Sequence, residues 1–311
     1  MQVVSSPKEL LRSSQPVHIA IGMFDGVHLG HQQLLQLALN NANRNHGLAA
    51  ALTFDQHPNH VVAPHRIPPS IQNLQSRLQT LKTTGIHAAI VTPFTHAFSQ
   101  IHGETFVRQI AQDLHPLSSI CIGQGFTFGH QRSGTCQLLK NLESELHYTT
   151  HILPPVSLNS CPVRSTIIRE KIAAGLLTEA SSLLGRPYSI AGEIIQGDQL
   201  GRQIGFPTAN LNVQNLALPP LGVYSANAIL NDKSYPAVLN LGIRPTLNQT
   251  TPSLRLETHI LDFQQDIYGA YLEVQPLQFL RGEKKFASLE SLRLQIQSDL
   301  QQARNLLAPL P

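Results

Sequence analysis

Apolar and polar positions along this chain change their period once, near the middle. In the first half, apolar runs of strand length recur at Val17–Ile21, Leu48–Phe54, Ala88–Thr92, Ser119–Gly123 and Thr149–Leu153. Segments with helical spacing lie between them, at Gln32–Asn41, Ser70–Thr83 and Gly103–Asp113. This alternation predicts a parallel sheet with helices on its faces, a doubly wound Rossmann-like α/β fold. Ligands of such a sheet bind at the carboxyl ends of its strands.

After Pro162 the pattern differs. Ser165–Ala174 and Thr178–Leu184 read as two short helices, the second closed by Gly185 with Pro187 just beyond it. Tyr188–Ile195, Gly222–Leu230, Tyr235–Leu241, Leu254–Leu261 and Tyr271–Leu280 are β-like runs separated by Gly, Pro and Asn. Closely spaced strands without intervening helices predict a small antiparallel β-barrel. A final helix carries Leu289, Leu292, Ile296, Leu300, Ala303 and Leu307 at spacings of three and four. That stripe predicts packing on the barrel and nothing more. The expected organisation is an α/β domain over residues 1–184 and a barrel domain with its closing helix over 185–311.

Composition narrows the classes. With 311 residues and 41% hydrophobic content the chain is globular and long enough for two cores. A net charge of +3, with no run of Lys or Arg long enough to form a stripe, is compatible with anionic ligands and gives no argument for nucleic acid. No apolar stretch approaches the roughly 20 residues that span a bilayer, and the first residues do not read as a signal peptide. Cys121, Cys136 and Cys161 fit neither a disulfide framework nor a zinc site. A cytoplasmic setting without a membrane partner is expected. The fifteen histidines are scattered and form no HExxH motif.

Candidate chemistry begins at Gly22-Met-Phe24-Asp25-Gly26-Val-His28-Leu-Gly-His31, between the first strand and the first helix. Glycines let a backbone approach a ligand closely, and a helix N-terminus offers free N–H groups to an anion. His28 and His31 are spaced to face the same way on a first helical turn. The motif resembles that of nucleotidyltransferases that attack the α-phosphate of ATP. Three further segments accompany it: Thr53-Phe54-Asp55-Gln56-His57-Pro58, then Gly123-Gln-Gly125-Phe126-Thr-Phe128-Gly129, then Arg164-Ser165-Thr166-Ile-Ile-Arg169. Ser165 or Thr166 can cap a helix or bind a phosphate, and Arg169 can bind phosphate bidentately. Phe126 and Phe128 suit either a ligand wall or the core.

The second half holds Gly197-Asp-Gln-Leu-Gly201-Arg202-Gln-Ile-Gly205-Phe206-Pro207-Thr208-Ala209-Asn210. In an extended chain Thr208 and Asn210 face one side, and their oxygens suit Mg²⁺. The chain has neither a P-loop nor a protein-kinase motif set. Downstream come Tyr224, Asn240, Glu257 in Leu256-Glu257-Thr-His259, and Leu280-Arg281-Gly-Glu283. Arg281 and Glu283 suit either an ion pair with each other at the helix entry or a place in a ligand-facing loop.

These ordered motifs resemble the prokaryotic bifunctional riboflavin kinase/FAD synthetase family over nearly the whole chain. The resemblance implies phosphorylation of riboflavin to FMN in the barrel and adenylyl transfer from ATP to FMN in the α/β domain. It implies riboflavin, FMN and ATP as small-molecule substrates, FAD as product and Mg²⁺ as cofactor. By position Glu257 is the base of the kinase reaction, Thr208 and Asn210 the metal ligands, and His28, His31 and Arg169 the phosphate-handling residues. Gly22, Phe24, Asp25, Gly26, Phe126, Phe128, Ser165, Thr166, Gly201, Arg202, Gly205, Pro207, Tyr224 and Arg281 become substrate-binding. The chain departs from the family pattern at Gly125, where Asp or Asn is usual, at Arg164, where Ser is usual, and at Gln56, where Pro is common. The departures leave open a kinase whose first domain is weakened or regulatory. A flavin-binding module without turnover fits less well, because it needs neither metal ligands nor a base.

Overall fold

The computed structural model describes residues 1–10, 14–197, 201, 204–244 and 253–307. They form two compact units, Met1–Ile167 and Ile168–Pro311.

In the first unit a six-stranded sheet is built from β1 (Gln2–Val4), β2 (Val17–Ile21), β3 (Leu48–Phe54), β4 (Ala88–Thr92), β5 (Leu117–Gly123) and β6 (Thr149–Leu153). All its pairings are parallel, in the order β1-β4-β3-β2-β5-β6. The connections hold α1 (Leu29–Arg44), α2 (Asn59–Val62), α3 (Leu74–Thr83), α4 (His96–Ser99), α5 (Gly103–Asp113) and α6 (Cys136–Leu146). Every residue of β2 is buried, as suits a central strand covered on both faces. Leu34, Leu35, Ala38, Leu39 and Ala42 of α1 pack on Ala20, Ala49 and Ala51 of the sheet. The chain proceeds from β2 to β3 on one side and returns to β5 on the other. The sheet's switch point therefore lies beside the end of β2, which leads into Gly22.

The predicted α/β architecture holds, with three local differences. The edge strand β1 has no buried residue and so no sequence signal. Helix α6, capped by Thr135, was absent from the expected pattern. Helix α3 starts at Leu74 rather than Ser70, because the N–H groups of Ile71 and Gln72 are taken by the Asp25 carboxylate and Asn73 caps the helix.

The two-residue strands β7 (Ser157–Leu158) and β8 (Cys161–Pro162) form a hairpin before α7 (Ser165–Ala173) and α8 (Leu177–Leu184). Helix α8 ends at Gly185 with φ +70°, the expected left-handed cap. The second unit then closes a six-stranded antiparallel barrel from β9 (Ile190–Ile195), β10 (Ala209–Leu211), β11 (Gly222–Leu230), β12 (Lys233–Arg244), β13 (Ser253–Ile260) and β14 (Tyr271–Arg281). Successive side chains alternate between the faces of each strand. Ala209, Leu239, Leu241, Leu256, Thr258 and Leu272 are buried on one face. Asn210, Asn240 and Glu257 occupy the other.

The terminal helix α9 (Leu289–Leu307) packs on that other face, where Ala303 meets Val223, Val238 and Leu261. Its apolar stripe does more than pack, contrary to the reading from spacing alone. Leu289 is exposed, while Leu292, Ile296 and Leu300 line a cavity together with a buried carboxylate, Asp299.

Candidate active sites

The loop after β2 is held in an unusual backbone shape. Phe24 (φ +51°), Gly26 (φ +79°) and Val27 (φ +38°) lie in the left-handed region, which is costly for a β-branched valine. Buried groups impose this shape. The Asp25 carboxylate accepts the N–H groups of Ile71 (2.9 Å) and Gln72 (3.2 Å), so its charge is spent on holding the loop. The Met23 carbonyl accepts from Thr53 Oγ1 (3.0 Å) and from Arg77 Nη1 (3.0 Å).

The loop delivers His28 to the start of α1, where its Nδ1 accepts the N–H of His31 at 3.3 Å. The two imidazoles stack with centroids 3.6 Å apart, and the fully buried Phe24 meets His31 edge-on at 5.2 Å. The pair does face one way, as its spacing predicted. Burial, with the charges of His28 and Arg77 nearby, holds His31 well below the usual histidine range. His31 is therefore neutral at pH 7 and can offer an N–H donor rather than a full charge.

Ser165, distant in sequence, donates its hydroxyl to the Asp25 carbonyl oxygen at 3.1 Å. That bond seats the start of α7 on the loop, a role that neither capping nor phosphate binding had suggested. Thr166 is exposed at this helix start, and Arg169 lies one turn further along α7.

Beside the loop, a cavity of about 670 Å³ opens at the ends of β2, β3 and β4 and at the segment after β5. Met23, Phe54, Phe94, Phe98, Phe126 and Phe128 are among its walls. Phe126 and Phe128 stack at 5.6 Å, and both also pack on the sheet's core, so they line the cavity and belong to the core at once. The volume lies within the range of small-molecule sites, and six phenylalanines stand among the lining residues. Gly125 precedes this pair at φ +84°, and an added Cβ there would meet no atom within 4 Å.

In the second unit, strand register assembles the site. Glu257 of β13 is the direct partner of Asn210 on β10 and of Asn240 on β12. Three polar side chains therefore stand abreast on one face. Arg255 Nη1 approaches Glu257 Oε1 at 3.2 Å. These residues line a cavity of about 330 Å³ with Thr208, His259, Arg281, Glu283 and the α9 residues named above. A neighbouring cavity of about 270 Å³ is lined by Pro207, Thr208, Thr258, Phe263, Asp266 and Tyr268. Thr208 borders both cavities. The hydroxyl of Thr258 is buried there without a hydrogen-bond partner.

Glycines keep the metal-ligand candidates accessible. A Cβ on Gly197 would strike the Asn210 amide at 2.4 Å, and one on Gly201 would strike the Phe206 carbonyl oxygen at 2.4 Å. Gly205 holds φ +91° in open space. The side-chain oxygens of Thr208 and Asn210 are hard donors on one face, which fits Mg²⁺ completed by substrate phosphates. Among the described residues no cluster of three His, Cys, Asp or Glu competes as a metal site.

Not every sequence candidate joins these groups. Tyr224 lies inside the barrel, its hydroxyl donating to the Pro220 carbonyl and its ring edge-on to Phe279. Arg281 pairs with Asp299 and not with Glu283, whose Oε1 instead accepts the Ile243 N–H at 3.3 Å. Arg202 lies outside the described residues. Reading the sequence missed Arg77, Arg255 and Asp299. Arg77 and Asp299 are charged residues in ordinary helical patterns that only their buried partners reveal, whereas Arg255 stands two residues from Glu257 on the same strand, a spacing that could have been read from the sequence.

Two family models match the chain: one described as FAD synthetase over residues 11–167, and one described as riboflavin kinase over residues 184–307. The bifunctional riboflavin kinase/FMN adenylyltransferase of Haemophilus influenzae is 33% identical over 306 residues, spanning 98% of both chains. The protein of that description from Bacillus subtilis is 32% identical over 96% of both chains. A solved structure from Streptococcus pneumoniae, described as a macrolide-efflux protein, superposes with a TM-score of 0.81 at 30% identity, covering 97% of this chain and 98% of that one. Among the described residues of the present chain, no helix is long and apolar enough to cross a membrane. Both family models and full-length relatives agree, and the chain belongs to the bifunctional riboflavin kinase/FMN adenylyltransferase family.

Proposed function

We propose that the two reactions of this family, riboflavin to FMN and FMN to FAD, take place at the cavities just described, with adenylyl transfer assigned to residues 1–184 and phosphoryl transfer to residues 185–311. The observation that carries the kinase assignment is the register of Asn210, Glu257 and Asn240, with Thr208 at the junction of two cavities. Riboflavin takes the cavity that holds Glu257, with its ribityl 5′-hydroxyl at the carboxylate, and ATP takes the neighbouring one. The hydroxyl oxygen attacks the γ-phosphorus, Glu257 takes its proton, and ADP leaves. Arg255 fixes the direction of the carboxylate. Mg²⁺ held by Thr208 and Asn210 would supply charge neutralisation on the ATP phosphates.

In the first unit the aromatic cavity takes the isoalloxazine of FMN, and the loop from Gly22 to His31 takes the ATP phosphates. A phosphate oxygen of FMN attacks the α-phosphorus and pyrophosphate leaves. The FMN phosphate is already an anion, so the protein need only align the reactants and donate to developing charge. His28, His31 and Thr166 are the donors for that task. Phe24, Asp25 and Ser165 hold the loop that presents them.

Purified protein incubated with riboflavin, ATP and Mg²⁺ tests the reading by chromatography of the flavins. FMN followed by FAD is the expected result. FMN that never advances, even when FMN itself is supplied, overturns the adenylyl assignment. Unchanged riboflavin overturns the kinase assignment.

A further inference from the structure

We propose that Arg77, a residue of helix α3, is a positioning residue for adenylyl transfer, tying the phosphate-facing loop to the aromatic flavin cavity. The inference rests on the assignment of adenylyl transfer to the first unit.

Arg77 is 3% exposed, which is unusual for an arginine. Its guanidinium donates through Nη1 to the Met23 carbonyl oxygen and through Nη2 to the Phe54 carbonyl oxygen. The Phe54 carbonyl ends β3, and the Met23 carbonyl lies in the loop two residues beyond the end of the neighbouring β2. Both residues line the aromatic cavity, and Met23 also begins the strained turn that ends at His28. Asp25 and Asp55 supply the compensating negative field around the buried cation. Asp55 in turn accepts the N–H of Phe94, another cavity wall, at 2.8 Å.

One side chain therefore touches the backbone of both substrate subsites without being a wall of the aromatic cavity itself. A planar fork presents two donors at a fixed separation that matches the two carbonyls, a geometry the point charge of an ammonium on a flexible stem does not hold. A left-handed Phe24 and Val27 persist only where surrounding contacts over-determine them. Met23 is the residue immediately before this stretch, and two of its restraints, from Thr53 and Arg77, converge on one oxygen. Removing Arg77 frees the loop after β2 and the end of β3 and leaves the Phe54 carbonyl without this donor.

Arg77→Met and Arg77→Lys test the proposal, with kinase activity of the same polypeptide as the internal control. Arg77→Met is expected to lower adenylyltransferase kcat/KM by about a hundredfold, with KM for FMN raised and kcat reduced. Arg77→Lys is expected to recover about tenfold of that loss, because it can still serve one carbonyl. Riboflavin phosphorylation is expected to stay within about twofold. Leu81→Ala, a core truncation on the same helix, separates positioning from helix packing. It is expected to lower the melting temperature and leave KM for FMN unchanged.

An adenylyltransferase kcat/KM within about threefold of the parent in Arg77→Met overturns the proposal. A rise in KM for FMN in Leu81→Ala equal to that in Arg77→Met overturns it as well. If Arg77→Met also loses the kinase reaction, Arg77→Lys decides, and an unchanged KM for FMN there overturns the proposal. A parent protein that makes FMN and no FAD instead overturns the underlying assignment, and the proposal with it.

Discussion

Arg281, at the end of β14, clasps Asp299 on α9: its Nε lies 3.0 Å from both carboxylate oxygens and its Nη2 lies 2.7 Å from Oδ2. Both side chains are largely buried, and Gln295 adds a donor to the carboxylate at 2.9 Å. The pair binds the terminal helix to the barrel at the wall of the Glu257 cavity. Removing one partner of a buried pair leaves an uncompensated charge. Asp299→Leu is expected to destabilise the second unit by about 3 kcal/mol and to raise the KM for riboflavin. Urea unfolding and kinase kinetics check both effects, with FMN-to-FAD conversion expected to persist.

Glu257→Gln keeps the shape of the side chain and removes the proton acceptor. FMN formation is expected to fall by about 10²–10⁴-fold, the usual contribution of general-base catalysis, while supplied FMN is still converted to FAD. Equal loss of both reactions would contradict a division of labour between the units.

Buried histidines set a direction for stability against pH. His31 is held well below its ordinary value, chiefly by burial, and His18 is also lowered by burial. Above about pH 6.5 both rings are neutral in the folded and unfolded chain and cost nothing. As the pH falls below that value the unfolded chain takes up protons that the folded chain does not. Stability should therefore decrease, by up to about 1.4 kcal/mol per pH unit for each such ring. Urea unfolding of the first unit at pH 7.5 and 5.5 measures the loss, and His31→Phe should flatten it.

Gly125 precedes the aromatic pair, at a position where the family resemblance leads to an expected Asp or Asn. Its left-handed φ is one that asparagine tolerates, and the space a Cβ would take is empty. Gly125→Asn is expected to accept that side chain without loss of stability. It should raise the rate of FMN-to-FAD conversion by up to about tenfold, the worth of one regained hydrogen bond. Steady-state rates with saturating ATP and a thermal melt check the two parts separately.

Much of the molecule follows from local pattern. The five apolar runs of the first half became β2 to β6; a central strand such as β3, covered on both faces, needs a nearly continuous apolar run, while the edge strand β6 is only partly buried. Gly185 became a helix cap because few other residues adopt its φ cheaply. The HxGH and Pro-Thr-x-Asn segments are contiguous, so their chemistry could be read from order and spacing alone. The side-by-side placement of His28 and His31 followed from helix geometry.

Tertiary structure decided what lies between the motifs. No spacing rule links Ser165 to the Asp25 carbonyl, Arg77 to the Met23 and Phe54 carbonyls, or Asp299 to Arg281, because each bond joins elements brought together only by folding. The same holds for Glu257 beside Asn210 and Asn240, where barrel register supplies the neighbours. It also moved Tyr224 into the barrel interior and gave the terminal helix a cavity wall and a buried carboxylate in addition to its packing stripe. The sequence by itself determined which chemistries this chain carries, since those reside in short segments of fixed order. The tertiary structure alone decided which charges are buried, what holds each reactive group in place and which cavity it faces, since those depend on partners that the sequence places far away.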